Sequence, residues 1–540
     1  MNDRSNEHIS NGRKRPAVFF LFALFSLLWT FSAEAMTYYI SPSGSDANSG
    51  ASESSPFKSF AKAFGKMASG DELVLLDGTY GEAQGTGYIN YSGTNSGQIP
   101  SGISSAYTYV HAKNPGNTKI MGSLFVGRST RKDQFIRIEG ITFEGNGGHS
   151  LYNTDHIIIK NSGFHDTSNN EAVLGIGSND GDWGNTYVLI EDSWIWGNDR
   201  VTLIVYRSDH VVIRRVVTRN DGCNGGYCNS NSGNYMVGTT IYNSHHVSFQ
   251  NVMAIDNIPG QGFGGAGDFY MAYHNNFIYP WHTNEWLGTI SLNTQLSAAY
   301  GFDSDNITSS VQPMATYKNI VAWNDPNPFN AQINCGSGCA RQDVIIDGAT
   351  LKASNGNTGD GLRIGPTMGA GNNVAKNIIV TGNGRYGMNS VTLPSYVDAS
   401  GSWSQGTYNQ TTCSVGCKTS NPLTDGSIKY ITRIEAGSPL KGTGTTGADY
   451  GANVVNRYGA AGAFYDDPDF NALTNVPLWP WPNEDRIKKE MCTDSGVTRG
   501  FCGAQTLTRY IWEAAGNPIP AEIYGSQAPD PAPPKNLRIR

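Results

Sequence analysis

Short alternations of apolar and polar positions recur along the chain. Phe135–Asn146, His156–Asp166, Tyr187–Asn198, His210–Asp221 and His246–Asn257 share one pattern. Each has two apolar residues two apart, a polar residue, often Asn or Gly, and then a third apolar position. Further copies fall at Tyr270–Trp281, Met314–Asp325, Asp343–Ser354 and Asn373–Gly384. Side chains two apart on a strand share a face, so every copy predicts a short half-buried strand, a turn and the start of another strand. Aligned on the central apolar residue, the register reads Ile138, Ile159, Ile190, Ile213, Phe249, Tyr273, Tyr317, Ile346 and Ala375. Successive spacings are 21, 31, 23, 36, 24, 44, 29 and 29 residues. The shortest fit one coil of a solenoid, and the excess leaves the coil as loops. Leucine-rich repeats are excluded because no leucine recurs at fixed positions, and a propeller needs about four strands per repeat. The expected fold is all-β, a right-handed parallel β-helix.

Each register position has a physical task. Ile136, Ile157, Val188, Val211, Val247 and Met271, two before the anchor, point into the core with it. Two after it come Gly140, Asn161, Asp192, Arg215, Asn251, Asn275, Asn319, Gly348 and Asn377. Asn tolerates turn geometry, and stacked amides can bond from coil to coil. Glu139, Lys160, Glu191, Arg214 and Gln250 point outward and predict a solvated row of cross-strand ion pairs.

The ends follow other rules. Arg13-Lys14-Arg15, the apolar run Ala17–Ser32 and Ala33-Glu34-Ala35 read as a signal peptide over 1–35. That run is too short to span a bilayer, so the chain is expected to be exported, with no membrane attachment after cleavage. The β-helix domain is expected over 36–465, with a capping helix at Phe60–Met67. A C-terminal cap follows over 466–525, with helices at Glu484–Met491 and Gln505–Ala515, and then a Pro-rich tail over 526–540. Cys223/Cys228, Cys335/Cys339, Cys413/Cys417 and Cys492/Cys502 read as local disulfides, with zinc as the rival. A net charge of −7 gives no reason to expect nucleic acid, and a monomer is expected.

The stripe beyond the third apolar position carries the candidate chemistry: Glu144, His165, Trp196, Arg219, Ile255, Tyr279, Trp323 and Lys352. Alternation turns it outward. Aromatic rings with polar edges suit sugars, although the same rings could pack beneath long loops. Trp196, Tyr279, Trp323, Lys352 and Arg215 are the candidate substrate-binding residues. Asp166, Asp199 and Asp221 lie beside the stripe as candidate Ca²⁺ ligands, or as the paired carboxylates of an inverting hydrolase. Arg219 could clamp an acidic sugar or serve as the base of a lyase, with Asp199, Asp221 and His165 as further candidate catalytic groups. Asp180/Asp182, Asp303/Asp305 and Asp466/Asp467/Asp469 are weaker loop candidates for calcium.

The opening segment Tyr38–Asp46, with Ser55–Phe60 and Gly70–Tyr80, resembles the start of DUF1565-type β-helix proteins. Gly437–Leu440 and Gly459–Phe464 resemble the closing coils of the same group. The chain thus resembles, over 36–465, the secreted right-handed β-helix superfamily typified by pectate lyases. That superfamily holds polysaccharide lyases, inverting hydrolases, epimerases and binding proteins, so the resemblance implies a fold and leaves the activity open. The expected function is cleavage of an extracellular glycan by β-elimination. An inverting glycoside hydrolase or a non-catalytic carbohydrate-binding surface protein is the alternative.

Overall fold

The structure, a computed structural model, describes residues 35–145, 147–166, 172–177, 184–222, 236–259, 265–273, 281–304, 312–332, 343–354, 359–364, 374–382, 387–390, 397–402, 408–409, 422–503 and 506–525. Residues 1–34, expected as a signal segment, Asp180, Asp182, Tyr279, Asp305 and the Pro-rich tail lie outside them. So do six of the eight cysteines. The pairings expected for Cys223 with Cys228, Cys335 with Cys339 and Cys413 with Cys417 therefore fall outside the described residues. The fourth expected pair is a disulfide, Cys492–Cys502.

Among the described residues parallel strands stack in three rows, and in later coils one continuous strand such as Gln312–Asp325 runs through the first two. One complete coil comprises Thr154–Lys160, Gly163–Asp166 and Ala172–Gly177. The first two rows belong to a 21-stranded sheet and the third is an 11-stranded sheet, which makes the fold a parallel β-helix. Ile138, Ile159, Ile190, Ile213 and Phe249 pair rung upon rung, and all are buried. Two earlier rungs, Leu73 and Val110, extend the same column. β-branched side chains dominate because they pack well on a pleated, fully covered surface. The N-terminal end is closed by helix Phe60–Lys66, whose cap Ser59 accepts from Lys62 N and which buries Phe60, Ala63 and Phe64.

The register differs from the sequence reading at one rung. Phe249 pairs with Trp286, not Tyr273, and Trp286 then pairs with Tyr317. Tyr273 ends the third-row strand Gly265–Tyr273. Strands of all three rows alternate with the same period, so a third-row strand can pass for a first-row one. Gly288 therefore takes the corner position assigned to Asn275.

The corner between first and second rows is a left-handed turn in the nine coils from Gly140 to Asn377. Asn161, Asp192, Arg215, Asn251, Asn319 and Asn377 have φ of 49–57°, and Gly140, Gly288 and Gly348 stand at 63–77°. Asn and Gly visit this region at the least cost. The expected amide-to-amide stacking gives way to a different use. Tyr458 N donates to Asn251 Oδ1 at 2.7 Å, Asn453 N to Asn319 Oδ1 at 3.0 Å and Thr445 N to Asn377 Oδ1 at 2.8 Å. These donors belong to residues 422–525, which run along the solenoid as a strap in two passes.

The first pass follows the corner from Asn377 toward the early coils, where Phe464 meets His156 and Tyr187. The second pass returns over the second row. Arg486 and Glu490 bond Thr142, Met491 reaches Arg219, Phe501 N meets Asp256, and Ala514 O meets Trp323. The expected cap helices appear in this pass as Glu484–Lys488 and Leu507–Trp512, with the Cys492–Cys502 bond between them. The strap also buries part of the ionic row expected to be solvated, while Glu139 and Lys160 stay half-buried. Arg214 and Glu191 are almost fully covered, and Arg214 donates to the carbonyls of Ala460, Ala463 and Phe470.

Candidate functional site

Strand register stacks Glu144, His165, Trp196 and Arg219 on successive rungs, and Ile255, Leu292, Trp323 and Lys352 on later ones. Leu292 holds the rung that the shifted register gave to Tyr279. The stripe exists, but the second pass of the strap lies on it. Trp196, Arg219 and Trp323 are 3%, 0% and 2% exposed. Arg219 forks onto Asp221 at 2.7 and 2.9 Å and donates to Met491 O at 2.5 Å, beside the Cys492–Cys502 bond. Trp323 Nε1 donates to Ala514 O at 3.1 Å. Neighbouring Trp194 donates to Glu490 at 2.7 Å. In this arrangement the rings and guanidinium dock the strap and present nothing to a polymer, which corrects their assignment as platforms and base. Arg215 is likewise buried, against Asp192 and Glu191. His165 and Lys352 are half-buried: His165 stacks on Trp196 at 4.9 Å, and Lys352 lies 5.4 Å over the Trp323 ring. Burial pushes the pKa of both below the ordinary value.

The three candidate carboxylates do not converge. Asp166 is buried and accepts from Gly148 N at 2.7 Å. Asp199 is buried at the next corner, its carbonyl bonded by Asn220. Asp221 is ion-paired with Arg219 and Arg499. Among the described residues the donor cluster that could hold an ion lies elsewhere, at Asp209, His245 and His246. Two imidazoles in that cluster disfavour Ca²⁺, which prefers oxygen ligands. Among the described residues Asp166, Asp199 and Asp221 do not form a group of this kind.

A different face carries half-exposed aromatics and cations. On the third row the register runs Ser150, Gly175, Ile204, Thr240, Tyr270, Gly301, Asn330, Arg363. The alternate positions Leu203, Thr239, Phe269, Tyr300, Phe329 and Leu362 are buried, so the Ile204–Arg363 row faces out. A second outward column pairs Gly177, Tyr206 and Tyr242. Tyr206, Tyr242, Tyr270, Asn330 and Arg363 are half-exposed. The Tyr206 and Tyr242 rings lie 5.0 Å apart, and the Arg207 guanidinium sits 5.1 Å from the Tyr206 ring. The strap contacts named above all land on the first two rows. The sequence reading missed this face, though it held a signal: Tyr-Asn-Thr-Asp-His at 152–156, Tyr-Arg-Ser-Asp-His at 206–210 and Tyr-Asn-Ser-His-His at 242–246.

Two buried carboxyls lie where that row meets the core. Ser291 Oγ is 2.6 Å from Asp268 Oδ2 and 3.0 Å from Asp325 Oδ2. Thr294 Oγ1 and Asn257 Nδ2 complete the shell of Asp268 at 2.6 and 2.8 Å. Burial pushes Asp268 up to about 7 and Asp325 well above the usual carboxylate range. Separately, a cavity of about 320 Å³ opens between the strap and the stripe, lined by Asn293, Asn324, Arg509, Tyr510 and Glu513 among others.

No family model matches the chain, and no curated protein matches it. Solved structures of similar shape include pectate lyase Pel9A, at 15% identity over 77% of this chain and 95% of that one, with a TM-score of 0.44. An alginate lyase from Paenibacillus sp. str. FPU-7 aligns at 14% identity over 53% and 91%, with a TM-score of 0.37. A rhamnogalacturonan lyase aligns at 13% identity over 82% and 97%, with a TM-score of 0.31.

Proposed function

We propose that the protein is exported and acts on a polysaccharide laid along the outer side of the third row, cleaving a uronic-acid-containing glycan by β-elimination. The observation that carries this reading is the half-exposed set Tyr206, Tyr242 and Tyr270 beside Arg207, with Arg363 three rungs further along the same row, on a face where none of the named strap contacts falls. Tyrosine offers an apolar ring to sugar C–H faces and a hydroxyl to their rims. Guanidinium groups pair with carboxylates in a planar fork. Coils stacked about 4.8 Å apart give such a row the length of several sugar units. In a β-elimination, Arg207 would neutralise the uronate carboxylate; the adjacent C5 proton would pass to a base, and the C4–O bond would break with the leaving oxygen taking up a proton.

The test is direct. The mature protein is incubated with polygalacturonate and with alginate, with and without CaCl₂, while unsaturated-product absorbance and new reducing ends are followed. Absorbance rising in step with reducing ends is the expected outcome. Reducing ends without absorbance would replace the lyase by a hydrolase, and retention without cleavage would leave a binding protein. Neither retention nor cleavage would end the glycan reading. Tyr242→Ala and Tyr270→Ala are each expected to weaken retention by about 1 kcal/mol, roughly fivefold, without changing the fold. Unchanged retention in both would remove this face from the site.

A further inference from the structure

The first row carries a cluster that the glycan reading does not use. At the start of consecutive strands, Phe135, His156, Tyr187, His210 and His246 adopt left-handed backbone, with φ of 50–56°. Their rings form one continuous stack with centroids 4.7–4.9 Å apart. Beside the last two rings, Asp209 pairs in register with His245. Asp209 Oδ1 lies 2.8 Å from His245 Nδ1 and 2.7 Å from His246 Nδ1, and the two Nδ1 atoms are 3.1 Å apart. His210 Nδ1 stands 2.8 Å from the same oxygen.

Hydrogen bonds link His245 Nδ1 to His246 Nδ1 and His246 Nδ1 to Asp209 Oδ1, while His210 Nδ1 makes no hydrogen bond among the described residues. A cation placed over the triangle would instead take one lone pair from each of three atoms. A tetrahedral ion with ligand bonds of about 2.1 Å spaces its ligand atoms about 3.4 Å apart. The observed edges of 2.7, 2.8 and 3.1 Å would open by a few tenths of an ångström to admit it. The site is also reachable, because the His246 and Asp209 side chains are 29% and 22% exposed while His245 anchors the cluster at 5%.

We propose that Asp209, His245 and His246 form a binding site for a borderline transition-metal ion of the Zn²⁺ class. Imidazole nitrogen with a single carboxylate suits that class and disfavours Ca²⁺. The strap flanks the site: the Tyr465 ring lies 5.3 Å from His210 and 5.4 Å from His246, and Asp466 Oδ2 is 3.0 Å from His210 Nε2. A bound ion would therefore join two coils beside the strap and stabilise the folded state by mass action. This inference does not depend on the glycan reading.

The experiment uses the mature chain without a histidine tag, stripped with EDTA, and titrated with ZnCl₂ in a calorimeter. His246→Phe removes one ligand but keeps the stack, since Phe135 fills the same rung in another coil. His210→Tyr copies the rung of Tyr187 and leaves the three ligands in place. One Zn²⁺ per chain is expected for the unaltered protein and for His210→Tyr. His246→Phe should bind at least about tenfold more weakly, and ZnCl₂ should raise the Tm only where the site is intact. Asp209→Asn, closely isosteric, gives the same reading if His246→Phe fails to fold. A chain that takes up no Zn²⁺ below millimolar concentration, or His246→Phe and Asp209→Asn variants that bind like the unaltered protein, would overturn the proposal.

Discussion

Arg215→Ala is expected to destabilise the protein by about 3–5 kcal/mol, measured by urea unfolding at neutral pH. Arg215 is 2% exposed; its Nε meets Asp192 Oδ1 at 2.5 Å and its Nη2 meets Glu191 Oε1 at 2.6 Å. Glu191, 1% exposed, also takes Arg214 at 3.1 Å and Lys160 at 3.4 Å. Burial pushes the Glu191 carboxyl up, but the flanking Arg215 and Arg214 outweigh it and hold the carboxyl well below its ordinary range. Removing Arg215 strips Asp192 of a bidentate partner under a strap that excludes water. The penalty comes from the stranded charge more than from the lost bond, because replacing a whole buried ion cluster by apolar groups can be neutral. A loss under about 1 kcal/mol would show that water reaches the cluster and that the strap is not seated on it.

The second large effect is a pH dependence with the opposite sign to ordinary acid denaturation. Asp268 and Asp325 share Ser291 in a fully buried pocket, and burial raises both pKa values, that of Asp268 to about 7. An unfolded carboxyl titrates near about 3.9. A group raised on folding contributes its full stability below the unfolded value and loses it as pH rises through the folded value. Stability attributable to the pair is therefore complete below about pH 4 and declines up to and beyond about pH 7. Asp268→Asn keeps the shape and hydrogen-bonding reach without an ionisable proton. The variant is expected to gain on the unaltered protein by about 2–4 kcal/mol between pH 4 and pH 8. His149, held down to about 4 by burial, contributes the same slope to both proteins and cancels. A variant that tracks the unaltered protein at every pH would mean that these carboxyls are solvated and ionised throughout.

The solenoid was legible because its coils repeat a local rule. A two-residue period with β-branched anchors sets the register, and Asn or Gly at the corner marks where the backbone turns left-handed. The reading slipped at Tyr273 because strands of different rows carry the same alternation, and only pairing separates them. The stripe of Trp196, Arg219 and Trp323 was found on its correct rungs yet misjudged in use. Tryptophan and arginine are enriched wherever a surface binds something, and the partner here is the chain's own strap. The apolar residues Trp479, Trp481, Phe501, Ile511 and Trp512 signalled that partner, since they pack in one cluster with Trp194, Trp196 and Trp323. No repeat rule applies to the strap, so its path could not be read from sequence. Tyr206 and Tyr242 fall between the repeat copies, and Tyr270 falls in the copy whose register differs, although Tyr recurs four residues before His at 152, 206 and 242.

Hydrogen–deuterium exchange of the protein with and without saturating uronic-acid oligosaccharide separates the third-row face from the stripe beneath the strap. Slower exchange is expected in the strands Val201–Tyr206, Met236–Tyr242 and Gly265–Tyr273, with Trp194–Gly197 and the strap over 483–515 unchanged. Protection centred on Trp196 and Arg219, accompanied by faster exchange in the strap, would contradict it: the strap would then be a displaceable cover and the stripe beneath it the glycan site.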